Sequence, residues 1–207
     1  MKKVIGVLLT VFLLVFCSNA FAVDLAGKFG LTGKGGIGIP LGSFANLQKI
    51  GGQIGYGLGI DGEYFVTNRI AAGAYFDYSR FKIESGTAEF KAFLRITSFG
   101  AFFKYVFPTN SDLNPYLRLS LGLYKPTACA KSDDVSSSTS YDIKSGYAFG
   151  GGIFKTSDFT MAGIEVLFHK AFVKEGKASF EGNTYKFGYD LEYLEVSLSV
   201  TLLFGGK

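Results

Sequence analysis

Apolar side chains alternate with small or polar side chains along most of this chain, and this two-residue period constrains its fold more than any other feature. In the last segment, apolar residues occupy every second position from Leu194 to Phe204. The positions between them carry Tyr193, Glu195, Ser197, Ser199 and Thr201. A helix would scatter the apolar residues around its axis, whereas a β-strand places them on one face. The alternation therefore predicts strands with one apolar and one polar face.

The pattern recurs in eight segments, each about as long as a tilted strand must be to cross a bilayer. These segments are residues 25–40, 53–66, 69–79, 94–107, 116–124, 145–154, 160–169 and 193–204. Charged residues share the face of the glycines, so we expect the apolar face to contact lipid and the charged face to line a polar lumen. In the first segment, Gly33, Gly35 and Gly36 interrupt the alternation, which predicts a β-bulge.

The connections between these segments alternate between short and long. The short connections lie near residues 67–68, 108–114 and 156–158, and the long ones near residues 42–51, 84–92, 128–143 and 173–188. Membrane barrels with an even number of strands have short periplasmic turns and longer outer loops, with both termini on the short-turn side. We expect residues 128–143 to form a flexible outer loop and residues 181–183 to form the tip of a hairpin.

The edges of such a sheet determine whether it can exist in a membrane. An open edge in hydrocarbon would leave backbone N–H and C=O groups unpaired, at a cost of several kcal/mol each. The eight segments must therefore close on themselves. The predicted fold is an all-β, transmembrane, antiparallel up-and-down β-barrel of eight strands, formed as a single domain by residues 23–207.

The start of the chain has the composition of a cleaved export signal. Residues 2–3 are lysines, residues 4–16 are an apolar run, and small residues precede the predicted cleavage site after Ala22. The apolar run is too short for a membrane-spanning helix, which needs about 20 residues. Lipid attachment at Cys17 is the alternative, and the bulky residue before it disfavours that. Residues 1–22 are therefore predicted to be a signal peptide.

Composition argues against several classes of function. Without the two lysines of the leader, the net charge falls from +4 to +2 and no basic stripe is present, which argues against a nucleic-acid partner. Cys129 would be the only cysteine left, so no intramolecular disulfide can form, and we expect it to be an ordinary loop residue. A single histidine gives no metal-ligand cluster, and the GKGG sequence at residues 33–36 lacks the spacing of a phosphate-binding loop. We expect no cofactor.

The leader, the eight alternating segments and the final strand resemble the small eight-stranded outer-membrane barrels of the OmpA-like and OmpX-like superfamily. In that group, the last strand carries a signal for the barrel-assembly machinery: a polar residue, a glycine two positions on, and hydrophobic or aromatic residues at the end. Here that spacing is occupied by Ser197, Ser199, Leu202 and Phe204, with serine in place of the glycine. The resemblance implies a monomer of the outer membrane in contact with lipid and lipopolysaccharide.

Charged residues on the predicted inner face are the main candidate site. They are Asp61, Glu63, Asp77, Lys104, Arg118, Glu165 and Glu195. The lumen of an eight-stranded barrel is just wide enough for side chains to fill, and an unpaired buried charge is very costly. We therefore expect an ion-pair network that plugs the barrel. A gated ion path lined by the same residues is the alternative.

Three functions are compatible with this plan. The first is a structural or surface-interaction role through the outer loops. The second is a narrow pore, or a carrier of small solutes or hydrophobic molecules. It is supported by free volume at the inner-face glycines, which are Gly55, Gly57, Gly59, Gly150 and Gly152. The third is a lipid-modifying enzyme that uses His169, the only histidine. Because Ala171, not a serine nucleophile, lies two residues after it, we expect no catalytic activity.

Overall fold

The computed structural model of the chain describes residues 24–45, 53–83, 91–107, 109, 113–131, 136–157, 159–172, 176–180, 183–187 and 190–205. Its strands are β1 (Lys28–Leu41), β2 (Gly55–Phe65), β3 (Ile70–Ile83), β4 (Lys91–Val106), β5 (Leu113–Lys131), β6 (Ser136–Ser140), β7 (Lys144–Thr156), β8 (Thr160–Ala171), β9 (Gly176–Phe180), β10 (Asn183–Phe187) and β11 (Leu191–Gly205). A short helix, α1 (Gly42–Ala45), follows β1. Among the described residues, no helix is long and apolar enough to cross a membrane. The predicted leader, residues 1–22, lies outside the described residues.

Eight of the strands form one closed antiparallel barrel. Their order around the barrel is β4-β3-β2-β1-β11-β8-β7-β5, and the pairing of β4 with β5 closes the ring. Each barrel strand therefore has a hydrogen-bonded neighbour on both sides, which leaves no open edge of the described barrel to be buried in lipid. The predicted eight-stranded up-and-down barrel is confirmed.

Alternate side chains of the barrel strands point outward and inward, as the sequence predicts. Outward apolar side chains are exposed, such as Leu58 on β2 (62%) and Leu121 on β5 (64%). Inner neighbours are buried, such as Asp61 and Arg118, each 3% exposed. A belt of exposed apolar side chains would promote aggregation in water. In a membrane, it is the surface that lipid chains cover.

The first strand is regular, so the predicted bulge is wrong. β1 pairs with β11 over its whole length and with β2 over residues 29–38, and neither register slips. Glycines at positions 33, 35 and 36 hide the alternation in the sequence because they carry no side chain that marks a face. Even-numbered positions of β1 face inward, which places Lys34 in the lumen with only 6% of its surface exposed.

The short-turn end of the barrel is secured by the turn between β2 and β3. Asn68 Oδ1 accepts hydrogen bonds from the backbone N–H groups of Leu25 and Ala26, at 2.8 and 2.7 Å. Thr67 Oγ1 accepts hydrogen bonds from the backbone N–H groups of Arg69 and Ile70, both at 3.1 Å. The segment before β1 is thereby held against this turn, at the end that the connection lengths predict to be periplasmic.

The opposite end extends beyond the barrel as two hairpins. β5 continues to Lys131 and pairs with β6, and β9 pairs with β10 as a separate two-stranded sheet. Much of the segment 128–143, predicted to be a flexible loop, is therefore strand, because its Ser/Thr run pairs its backbone with β5. The hairpin predicted near residues 181–183 is confirmed, since Phe180 pairs with Asn183.

Candidate functional site

The lumen is filled in three layers along the barrel axis. The layer near the outer end is an apolar cluster, the outer cluster, of Phe44, Phe81, Leu94, Ile96, Tyr124, Ala171, Leu191 and Tyr193. The layer near the short-turn end is a second apolar cluster, the inner cluster, of Leu25, Phe65, Ala71, Val106, Tyr116, Phe154, Met161 and Leu203. All seven predicted inner-face charges are buried. Along β3, β4, β5, β8 and β11 they lie between residues of the two clusters, and on β2 they are followed by Phe65 of the inner cluster. The charged layer therefore has an apolar cluster on each side along the barrel axis.

Arg118 and Lys34 occupy the centre of the charged layer. Arg118 Nη1 donates a hydrogen bond to Asp61 Oδ2 at 2.5 Å and lies 3.4 Å from both carboxylate oxygens of Glu165. Lys34 Nζ lies 3.0 Å from Asp77 Oδ1 and 3.6 Å from Asp61 Oδ1. The carboxylate of Asp61 is shared by the two cations, so side chains of β1, β2, β3, β5 and β8 form one connected network.

A second ion pair lies nearer the inner cluster. Lys104 Nζ donates a hydrogen bond to Glu63 Oε2 at 2.6 Å. Tyr116 OH donates to Glu165 Oε2 at 2.9 Å and ties the inner cluster to the central network. Among the described residues, no group of three or more His, Cys, Asp or Glu side chains is arranged to hold a metal ion. Each of these carboxylates contacts a cation, and Glu165 also accepts a hydrogen bond from a hydroxyl, which offsets part of the cost of burying the charges.

His169 lies in the interior beneath the outer cluster and does not face lipid. Its Nε2 is 3.3 Å from Glu195 Oε2, and its Nδ1 is 3.2 Å from Tyr124 OH. Its ring stacks on Tyr193 with the centroids 4.4 Å apart. Because only 1% of His169 is exposed, a lipid could reach it only if the outer cluster opened. The geometry gives His169 a role in positioning and satisfying Glu195, and it does not favour the lipid-modifying hypothesis.

Sequence reasoning missed one member of the charged layer, Lys34, and did not include a second, His169, in the predicted charge network. Lys34 was overlooked because the glycines around it hide the phase of β1, although a regular strand would have placed it inside. The sequence pattern places His169 on the same face as Glu165, which the structure confirms, but its role was considered only as a catalytic one. Strand parity was therefore the available signal for both residues.

The inner-face glycines leave little free space, contrary to the prediction that supported a carrier. A Cβ added at any of the five would lie within 3.1 Å of a neighbouring atom. At Gly55 it would lie 2.8 Å from Phe81 Cδ1, and at Gly152 it would lie 2.8 Å from the Tyr116 hydroxyl. Gly55 and Gly152 therefore make room for large side chains of neighbouring strands. A cavity of about 20 Å³ remains in the lumen, enough for about one water molecule.

The residues of the predicted assembly signal lie on both faces of β11. Ser197 is buried in the lumen, and Ser199 Oγ donates to the Gly163 carbonyl oxygen at 3.4 Å. Leu202 and Phe204 point outward near the short-turn end, 48% and 50% exposed. The hydrophobic part of the motif is therefore accessible on the lipid face. Its recognition by the assembly machinery stays a prediction.

Comparisons with known proteins agree with this architecture. The family model described as "Outer membrane protein beta-barrel domain" matches residues 8–205. The outer membrane protein OprG from Pseudomonas aeruginosa is 15% identical, with a TM-score of 0.62 over 90% of this chain and 100% of that chain. Neisserial surface protein A (NspA) is 17% identical, with a TM-score of 0.58 over 86% of this chain and 98% of that chain. No curated protein matches the chain in sequence. At these identities, the structural similarity establishes the fold alone.

Proposed function

The chain belongs to the outer membrane protein beta-barrel domain family and resides in the outer membrane, and from this premise we propose that it acts at the cell surface through the outer ends of its strands and its hairpins, not as a pore. The single observation that supports this proposal most strongly is the filled lumen. An ion or solute would have to displace both apolar clusters and separate paired charges in order to cross.

The outer cluster is a barrier made of interlocking aromatic rings. Phe81 is completely buried and meets Phe44 and Tyr193 edge to face, with ring centroids 5.1 and 5.2 Å apart. Aromatic pairs in this geometry add about 0.5–1.5 kcal/mol each beyond the burial of their area. Such a layer supports a closed barrel whose function lies at its outer surface.

The β5–β6 hairpin offers a surface for partners that is anchored at its base. The Tyr141 backbone N–H donates to the Pro126 carbonyl oxygen at 3.0 Å, and the Tyr141 side chain packs against the outer cluster. Farther along β6, Ser138 and Ser140 are exposed. A rigid base with exposed hydroxyls suits a polar partner, so we assign lipopolysaccharide and the surfaces of host or neighbouring cells as the partner class.

Shortening the β5–β6 hairpin is expected to abolish surface binding without disturbing the barrel. Residues 130–137 would be replaced by Asn-Gly, a two-residue turn that can join the paired residues Cys129 and Ser138. Cells that display the barrel would be tested for adherence to cultured epithelial cells and to one another. We expect adherence to fall to the level of cells that lack the protein, with an unchanged amount of folded barrel in the outer membrane.

A matched change in the other hairpin is the control for that experiment. Residues 179–184 would be replaced by Asn-Gly between the paired residues Ala178 and Tyr185. If cells still adhere after the β9–β10 hairpin is shortened but not after the β5–β6 hairpin is shortened, the binding surface is the β5–β6 hairpin. Full adherence in both shortened variants, or wild-type cells that adhere no better than cells without the protein, would contradict the proposed function.

A further inference from the structure

Basic residues cluster on the lipid-facing wall of the barrel at its outer end. Arg80 and Lys82 lie on β3, Arg95 on β4 and Lys125 on β5, all at outward positions. The strand register makes them neighbours, since Arg80 pairs directly with Arg95, and Lys125 pairs with Thr97, two residues along β4. These four basic residues are called the outer basic patch below.

The outer basic patch lies at the height where lipid headgroups begin. From Ile70 at the start of β3, about ten residues lead to Arg80, which at about 3.3 Å per residue and a tilt of about 40° gives a rise of roughly 25 Å. The apolar band of a membrane barrel is also about 25 Å tall. Tyr56 and Tyr78 face outward beside the patch, where amphipathic rings favour the interface.

The charge of the outer basic patch is not neutralised by the described part of the protein. No carboxylate of the described residues makes an ion pair with it, and the outward positions described in β2, β3, β4 and β5 contain no Asp or Glu. On the opposite wall near the outer end, Lys170 Nζ lies 2.7 Å from Glu192 Oε1 and 3.2 Å from Asp190 Oδ2. One wall of the rim therefore pairs its cation with carboxylates, whereas within the described residues the wall of β3 to β5 pairs none of its four cations with a carboxylate.

The two arginines are held in place by contacts that leave their charge available. The Arg80 guanidinium lies 3.8 Å from the centre of the Phe93 ring, and its Nη1 donates to Tyr56 OH at 3.4 Å. Arg95 donates from Nε and Nη2 to Cys129 Sγ, at 3.0 and 2.5 Å. Cys129 is therefore not the loop residue expected from the sequence but a member of β5 that orients Arg95. Two guanidinium groups fixed side by side lose little further entropy when they bind an anion.

We propose that the outer basic patch binds the phosphate groups of a phosphorylated glycolipid in the outer leaflet. Lipid molecules cover this wall, and long basic side chains at the hydrocarbon boundary extend to the headgroup level, where lipid phosphates lie. Guanidinium groups form bidentate hydrogen bonds with phosphate, and nearby lysines add charge without demanding one geometry. The site rests on the proposed partner class, of which it names the lipid-borne phosphate, but its test measures lipid binding and not adherence, so each proposal can fail without the other.

Lipid binding to the purified, folded barrel in detergent tests this site. The probes are lipid A with two phosphates and the same lipid A without phosphates, with bound lipid counted by native mass spectrometry. We expect the wild type to retain the phosphorylated lipid and to bind the dephosphorylated lipid far more weakly. The triple variant Arg80→Gln, Arg95→Gln, Lys125→Gln is expected to lose about fivefold in affinity for each charge removed, roughly a hundredfold in total.

The triple variant Lys28→Gln, Arg69→Gln, Lys170→Gln is the matched control, because it removes the same charge outside the patch. It is expected to keep the wild-type affinity. An equal loss in both triple variants, equal wild-type binding of the two lipids, or displacement of the lipid by inorganic phosphate at the concentration of the lipid would overturn the proposal. If the first triple variant does not fold, the single variant Arg80→Gln and the comparison of the two lipids on the wild type decide the question.

Discussion

Replacing Arg118 with alanine is expected to lower the free energy of unfolding of the barrel by about 3–5 kcal/mol. Arg118 is 3% exposed, and its guanidinium contacts both Asp61 and Glu165. Without it, two buried carboxylates would face each other with Lys34 as the nearest remaining cation. Removing one partner of a buried ion pair leaves uncompensated charge, and this desolvation cost exceeds the loss of the contact itself.

Urea unfolding in lipid vesicles, followed by fluorescence or by electrophoretic mobility of the folded form, measures this change. Arg69→Ala, on the exposed turn between β2 and β3, is the control and should change stability by less than about 0.5 kcal/mol. Adding Asp61→Asn to Arg118→Ala should recover part of the loss, because it removes one of the stranded charges. A stability of Arg118→Ala equal to that of the control would show that the charged layer does not stabilise the barrel.

Replacing Phe81 with alanine is expected to cost about 3–5 kcal/mol, since it empties the centre of the outer cluster. Phe81 is completely buried, and its ring occupies space that two inward-facing glycines leave free. A Cβ at Gly38 would lie 2.7 Å from Phe81 Cε1, and a Cβ at Gly55 would lie 2.8 Å from Phe81 Cδ1. The same physical reason predicts that Gly38→Val destabilises the wild type by overpacking.

A double variant, Phe81→Ala with Gly38→Val, shows whether valine at position 38 is harmful because it meets Phe81 or because β1 tolerates no larger side chain there. In a Phe81→Ala background, the valine at position 38 has space, so Gly38→Val should cost much less there than in the wild type. The same unfolding measurement applied to the wild type, both single variants and the double variant gives the coupling energy. Strictly additive costs would contradict the assigned role of the glycine.

The strands and their faces were predictable because the barrel separates lipid from lumen with a period of two. Outward rows such as the one from Leu194 to Phe204 carry that signal without interruption. The prediction failed where side chains were too small to mark a face, so Lys34 was missed and a bulge was assigned to a regular strand. The β5–β6 hairpin was missed because serines and threonines have no apolar face to bury there and pair through their backbone alone.

The pairings in the lumen could not be predicted from the sequence. Arg118 on β5 contacts Asp61 on β2, two strands that are not neighbours in the barrel, so no local register brings them together. Which side chains meet across a lumen depends on strand tilt and on the volumes of all inward residues, which a one-dimensional pattern does not contain. The sequence indicated that the charges must pair, and the structure gives the partners.

Single-channel recording of the refolded barrel in a planar bilayer tests whether the lumen is a closed and paired plug. We expect a folded protein that stays electrically silent across the usual range of voltage. It also predicts that Phe81→Ala alone stays silent, since the charged layer and the inner cluster still fill the barrel beneath it. Steady, discrete openings of the wild-type barrel would show that the lumen is not plugged and would make the charged layer the lining of a pore.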